Sequence, residues 1–252
     1  MRFSSLGSGS KGNATIVQHN KTVIMVDCGF SGRSAEKKLL QKNIEPSSIN
    51  AILITHEHKD HTSGIERLSQ KYRIPVWTNK GTYKAINQQE FHQINFFSSH
   101  NNFSINDMKI SPFPVPHDAK EPVQFIFTDG DKKLAVLSDL GKITPHIKQK
   151  LNSVDALMLE CNHDSSMLEI GKYPRFLKER VGGGLGHLSN KQSAEFLLEI
   201  DTSKLTQLVA SHISENNNTH KKVKQTVSQT LGCSENWINT VCQNNGIDWL
   251  EV

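Results

Sequence analysis

The chain has 252 residues with 29 basic and 25 acidic side chains, a formal net charge of +4, twelve histidines and four cysteines. That length can bury a sizeable core, the small positive excess suits an anionic partner without requiring one, and Cys28, Cys161, Cys233 and Cys242 form no C-x-x-C pair, which excludes a disulfide framework or a zinc knuckle. Residues 1–6 lack a signal-peptide core and no apolar run reaches membrane-spanning length, so a reduced cytoplasmic setting with no membrane partner is expected.

Residues 1–6 read as a strand, followed by Gly7-Ser8-Gly9-Ser10-Lys11-Gly12-Asn13 and a second, alternating strand over 14–19. The loop matches G-x-G-x-x-G literally. A dinucleotide fingerprint is rejected, because it needs a helix N-terminus after the glycines and a β-branched strand follows instead. Ser10 and Asn13 are candidate phosphate donors, and a plain hairpin turn is the competing reading. The strand over 22–26 ends at Asp27, placed to fix the tautomer of a ligand histidine. A helix is expected over 34–42.

The apolar run 51–54 leads into His56-Glu57-His58-Lys59-Asp60-His61, before a helical stretch over 63–71. Side chains alternate in an extended segment, so His56 and His58 point the same way. The following turn carries Asp60 and His61 to a second point, so one short loop can feed two ions. A polar surface turn is the bland reading, but H-x-H-x-D-H after a strand is a rare spacing, and imidazole suits zinc, iron or manganese.

Further on, a strand over 75–77, a helix over 79–86 and a β pattern over 94–115 precede His117, a lone histidine in a polar loop. Strands over 124–128 and 133–137 are expected to form a hairpin on the two-residue turn Asp129-Gly130. The second of them delivers Asp139, placed to cap a helix or to bridge two ions. The strand over 156–159 ends at Glu160-Cys161-Asn162-His163-Asp164. Gly182-Gly183-Gly184-Leu185-Gly186-His187-Leu188-Ser189-Asn190 then opens an amphipathic helix to residue 200, putting His187 and Ser189 at a helix start that favours an anion. A strand over 205–210 precedes His212. Five strand ends therefore carry histidine or acid, which argues for convergence at one sheet edge.

The H-x-H-x-D-H motif with these later segments resembles the metallo-β-lactamase superfamily. Residues 6–14, 117–122, 160–164 and 186–190 are most similar to the bacterial YycJ/WalJ (VicX) family of 5′ to 3′ DNA exonucleases. The resemblance implies one αββα domain, two mixed sheets flanked by helices, over residues 1–252. It also implies two divalent ions (Zn, Mn or Fe): His56, His58 and His117 hold one, Asp60, His61 and His212 the other, and Asp139 bridges them, with Asp27 in support. Only 22 positions separate His117 from Asp139 and 73 separate Asp139 from His212, too few for a ribonuclease Z arm or a β-CASP insertion.

The expected activity is phosphodiester hydrolysis at a free 5′ end of DNA, releasing 5′-phosphate mononucleotides, with a role in DNA repair or cell-wall regulation. Water activated by the ions attacks phosphorus, aided by Asp60 and Asp139. His187, backed by Glu160, protonates the leaving 3′ oxygen. Ser189, His163, Ser10 and Asn13 are expected to touch phosphate. Three other readings compete: a glyoxalase II-like thioester hydrolase, a hydrolase of small phosphodiesters, and a signalling interaction protein with structural metals.

Overall fold

The computed structural model describes residues 1–86 and 89–252. The first half runs β1 (Arg2–Gly7), β2 (Ala14–His19), β3 (Thr22–Val26), α1 (Gly32–Gln41), β4 (Ala51–Leu53), α2 (Lys59–Thr62), α3 (Ile65–Tyr72), β5 (Val76–Thr78), α4 (Lys80–Ala85) and β6 (Ile94–Phe96). The second runs β7 (Phe103–Ile105), β8 (Met108–Pro114), β9 (Val123–Thr128), β10 (Lys133–Leu137), α5 (Pro145–Leu151), β11 (Ala156–Glu160), α6 (Ser165–Ile170), α7 (Arg175–Val181), α8 (Asn190–Leu198), β12 (Gln207–Ser211), α9 (His220–Leu231), β13 (Ile238–Thr240) and β14 (Ile247–Glu251).

Two seven-stranded sheets result, ordered β14-β1-β2-β3-β4-β5-β6 and β13-β12-β11-β10-β9-β8-β7. Each has three antiparallel pairings at one side, β14 to β3 and β7 to β10, and three parallel ones at the other, β3 to β6 and β10 to β13. The expected αββα architecture is borne out, and the alternation of side chains explains it. Ile24, Val26, Ala51 and Leu53 meet Phe125, Phe127, Val136 and Met158 between the sheets. Their neighbours Met25, Ile52 and Ile54 turn outward to pack with Ala35, Leu39, Ile65 and Leu68 of α1 and α3. On the other side Leu137, Leu157, Leu159 and Ala210 pack with Ile147, Leu197 and Val227 of α5, α8 and α9. Strands buried on both faces read as continuous apolar runs, as the segments 22–26, 51–54 and 156–159 do.

Three local expectations are corrected. The β9–β10 connection is a four-residue loop, since Lys133 pairs with Thr128. Asp129 Oδ1 accepts from the N–H of Asp131 and Lys132 at 3.1 and 2.8 Å, an Asx turn that spreads the reversal over two more residues. The helix expected over 63–71 starts two residues later as α3, with Gly64 as its N-cap, and a separate single turn, α2, forms inside the metal loop before it. Thr144, not Asp139, caps the helix after β10.

Candidate metal centre and active site

The site lies where strands from both sheets end. Asp27 follows β3, the His56–His61 loop follows β4, His117 follows β8, Asp139 follows β10, Glu160 closes β11 and His212 follows β12. Asp27, Asp139 and His212 hold φ of 58°, 52° and 52°. Left-handed backbone is costly for side-chain-bearing residues and persists where surroundings over-determine it. At these three positions the strand reverses sharply and turns its last polar side chain back over the sheet edge.

Among the described residues the potential ligands fall into three overlapping groups: His56, His58 and His117; Asp60, His61, Asp139 and His212; and Asp139, Glu160, His187 and His212. In the first, His56 Nε2 and His117 Nε2 lie 3.1 and 3.3 Å from His58 Nδ1. Those separations are close to an edge of a tetrahedron around an ion with bonds of ~2.0–2.1 Å. In the second, His61 Nε2 lies 3.2 Å from Asp139 Oδ2 and 3.5 Å from Asp60 Oδ2, and His212 Nε2 lies 3.5 Å from Asp139 Oδ1.

The donors fit a divalent cation. Asp139 Oδ2 and His212 Nε2 are buried with no hydrogen-bond partner among the described residues, a cost that an ion would remove. Burial pushes the pKa of His56 well down and that of His117 down, favouring the neutral ring that ligates metal. For Asp139 burial works upward, but His212 and His61 outweigh it and hold the carboxyl well below its ordinary range. Cys28 and Cys161 belong to none of these groups, and burial pushes both thiols up to about 12.

Supporting groups fix the rings. Asp27 Oδ2 lies 2.8 Å from His61 Nδ1 and accepts from Thr55 Oγ1 at 2.7 Å, while Thr55 N donates to Asp27 Oδ1 at 2.8 Å. Thr55 Oγ1 also lies 2.9 Å from His56 Nδ1. His117 Nδ1 is 3.2 Å from the Gly186 carbonyl. Glu160 Oε1 stands 2.8 Å from His187 Nδ1 and 2.9 Å from His212 Nδ1. The sequence pointed to Glu160 and His187 as a pair but gave no sign that His212 shares the same oxygen.

A pocket of about 270 Å³ opens on these groups, lined by His58, Asp60, His117, Asp139, His187 and His212, with Ser10 at its wall. Of the four residues expected to touch phosphate, Ser10 alone lines it. Asn13 is a correction: it is buried, and its Nδ2 donates to Asp60 Oδ2 at 3.3 Å while its Oδ1 accepts from Ser8 Oγ and Gly9 N. Its polar atoms are used in holding the glycine loop under the metal loop. Ser189 and His163 are a second correction, since they line a separate pocket beyond α7. Ser189 is the N-cap of α8 in a reciprocal capping box with Gln192, so its hydroxyl satisfies the helix end instead of a ligand. Sequence reasoning missed Tyr173, Leu177 and Arg180 in the pocket wall; they belong to no motif, and only the packing of α7 and the turn before it brings them there.

Among the described residues no helix is long and apolar enough to cross a membrane. The Beta-lactamase superfamily domain matches residues 22–213. The chain is 33% identical over 239 residues to exodeoxyribonuclease YycJ of Bacillus anthracis, covering 92% of this chain and 89% of that protein. It is 31% identical to exodeoxyribonuclease WalJ of Streptococcus pneumoniae over 91% of this chain and 88% of that one. Among solved structures, the metallo-beta-lactamase fold protein YhfI of Bacillus subtilis superposes with a TM-score of 0.77 at 14% identity, covering 97% of this chain and 98% of that one.

Proposed function

The chain belongs to the beta-lactamase superfamily and, within it, to the YycJ/WalJ family, and from that premise we propose that it is a metal-dependent DNA exonuclease acting from a free 5′ end. The observation that carries the reading is that members of both ligand groups, His58, His117, Asp60, Asp139 and His212, line one pocket with His187, which Glu160 backs. His56, His58 and His117 would hold one ion and Asp60, His61 and His212 the other, with Asp139 shared. Two divalent cations, when bound, make a water nucleophilic at neutral pH and offset charge on the phosphoryl oxygens.

The chain's own residues do the rest. Asp27 fixes the tautomer of His61, leaving Nε2 as its ligand atom, and Glu160 does the same for His212. Glu160 also orients His187 through Nδ1 and stabilises its doubly protonated ring, whose Nε2–H would donate to the leaving 3′ oxygen. The released mononucleotide keeps its 5′-phosphate and gains a 3′-hydroxyl.

Linear DNA labelled at either end, incubated with manganese, zinc or chelator, tests the reading against an Asp139→Ala control. Manganese- or zinc-dependent release of mononucleotides from the 5′ end, absent in the control, is expected. Cleavage of a glutathione thioester with none of DNA would assign the same centre to acyl chemistry instead.

A further inference from the structure

One wall of the pocket is left unused by the chemistry above. The turn before α7 and the helix itself contribute Tyr173, Leu177 and Arg180 to the lining, yet no residue of α7 is buried. The wall is nevertheless anchored. The N–H of His187 donates to the Val181 carbonyl at 2.8 Å, and Asp118 Oδ2 accepts from Arg180 Nε and Nη2, both at 2.7 Å. Asp118 Oδ1 lies 3.4 Å from His117 Nε2. The guanidinium thus stands one carboxylate away from a ligand histidine, and its side chain remains 61% exposed. Tyr173 is held at its outer edge, where its hydroxyl accepts from Asn216 Nδ2 at 3.1 Å.

Resting on the nuclease reading, we propose that Arg180 and Tyr173 seat the terminal nucleotide of the strand, Arg180 pairing with its 5′-phosphate and Tyr173 stacking on its base. A guanidinium matches a phosphate with paired N–H groups, and Asp118 already restrains it, so little freedom is lost when the anion arrives. Stacking on an aromatic ring is strong and tolerant of sequence, because every base has a π-face. A pocket of about 270 Å³ is of the size of one such unit. With the terminal phosphate held at Arg180, the ester presented to the ligand groups is the next one in. Each cleavage leaves a new 5′-phosphate on the shortened strand, so the same contact serves every cycle.

The test uses the full chain loaded with manganese and 3′-labelled single strands identical except at the 5′ end: phosphate, hydroxyl, or phosphate on an abasic first nucleotide. The unaltered protein is expected to favour phosphate over hydroxyl by about tenfold or more in kcat/KM. Arg180→Met removes that preference while normal and abasic ends remain distinguished. Tyr173→Leu does the reverse. No phosphate preference in the unaltered protein, or an equal preference in Arg180→Met, overturns the role of Arg180 and leaves the exonuclease standing. Failure of the metal-loaded, unaltered protein to cut any of the three strands overturns the nuclease reading and this inference with it.

Discussion

Glu160 Oε1 lies between His187 Nδ1 at 2.8 Å and His212 Nδ1 at 2.9 Å, so a single oxygen orients both the candidate proton donor and a candidate metal ligand. Its other oxygen accepts the N–H of Leu140 and Leu188 at 3.3 and 3.0 Å. The residue is fully buried. Burial works to raise its pKa, but His187 and His212 outweigh it and hold the carboxyl at about 2. One side chain therefore links the candidate proton donor to the candidate metal ligand.

Glu160→Gln should accordingly damage two functions at once. An amide keeps the shape but cannot accept from both rings and the backbone as a carboxylate does. Turnover is expected to fall ~100-fold or more, and metal affinity ~10- to 100-fold. Turnover at saturating metal, together with metal stoichiometry at limiting metal, separates the two losses. Unchanged metal affinity would confine Glu160 to His187.

His187→Ala should leave metal content intact and lower turnover by ~100- to 10,000-fold. Its Nδ1 is 2.8 Å from Glu160 Oε1 and 3.7 Å from Asp139 Oδ1, so it clusters with Asp139, Glu160 and His212 and not with the His56 or His61 groups, and its Nδ1 is already taken up by the carboxylate. Loss of a metal ion in this variant would make His187 a ligand and remove it from the proton path.

The positions of the ligands were legible because strand ends are. Apolar runs ending in Asp27, Asp139, Glu160 and His212 announce where a sheet edge lies, and convergence follows from the fold class. The direction of a loop side chain is not so encoded. Asn13 looks like an anion donor in sequence but turns inward, because its amide closes the loop on Asp60. Ser189 likewise serves a helix end. The α7 wall carries no motif at all; Arg180 enters the site through a pairing with Asp118, 62 positions earlier in the chain. The C-terminal strand β14, which pairs with β1, is short and poorly alternating, and only its partner defines it.

Metal removal should expose a pH dependence of stability. Burial opposes charge on His212, yet Asp139, Asp60 and Glu160 raise its pKa from 6.5 to about 10. A group with a raised folded-state value contributes fully below its unfolded value and loses that contribution as pH rises through the folded one. The chelated protein should therefore melt at progressively lower temperature between about pH 6.5 and pH 10. Glu160 has the opposite sign: lowered from 4.5 to about 2, it stabilises above 4.5 and is lost only as pH falls towards 2. Metal must displace the His212 proton, so loading should flatten the alkaline decline and metal affinity should rise with pH. Melts across this range with and without chelator check it, and a chelated protein equally stable at both ends would contradict the charged state of His212.

Gly29 provides a test that touches no ligand. A Cβ built there would lie 1.7 Å from the Asp60 carbonyl oxygen and 2.1 Å from its carbon. Both are backbone atoms, so nothing flexible can give way. The Asp60 carbonyl is also fixed from the other side, accepting from Asn13 N at 2.8 Å, and Gly29 N donates to the Asn13 carbonyl at 2.9 Å. Gly29→Ala must push α2 away from the segment between β3 and α1, carrying Asp60 and His61 with it while His56, His58 and His117 stay on their own supports. The expected cost is about 2–3 kcal/mol of stability, with selective weakening of one of two bound ions. Stepwise chelation followed by metal analysis should find one ion lost early and the other held as in the unaltered protein. Equal weakening of both would mean that the two halves of the His56–His61 loop move as one rigid piece.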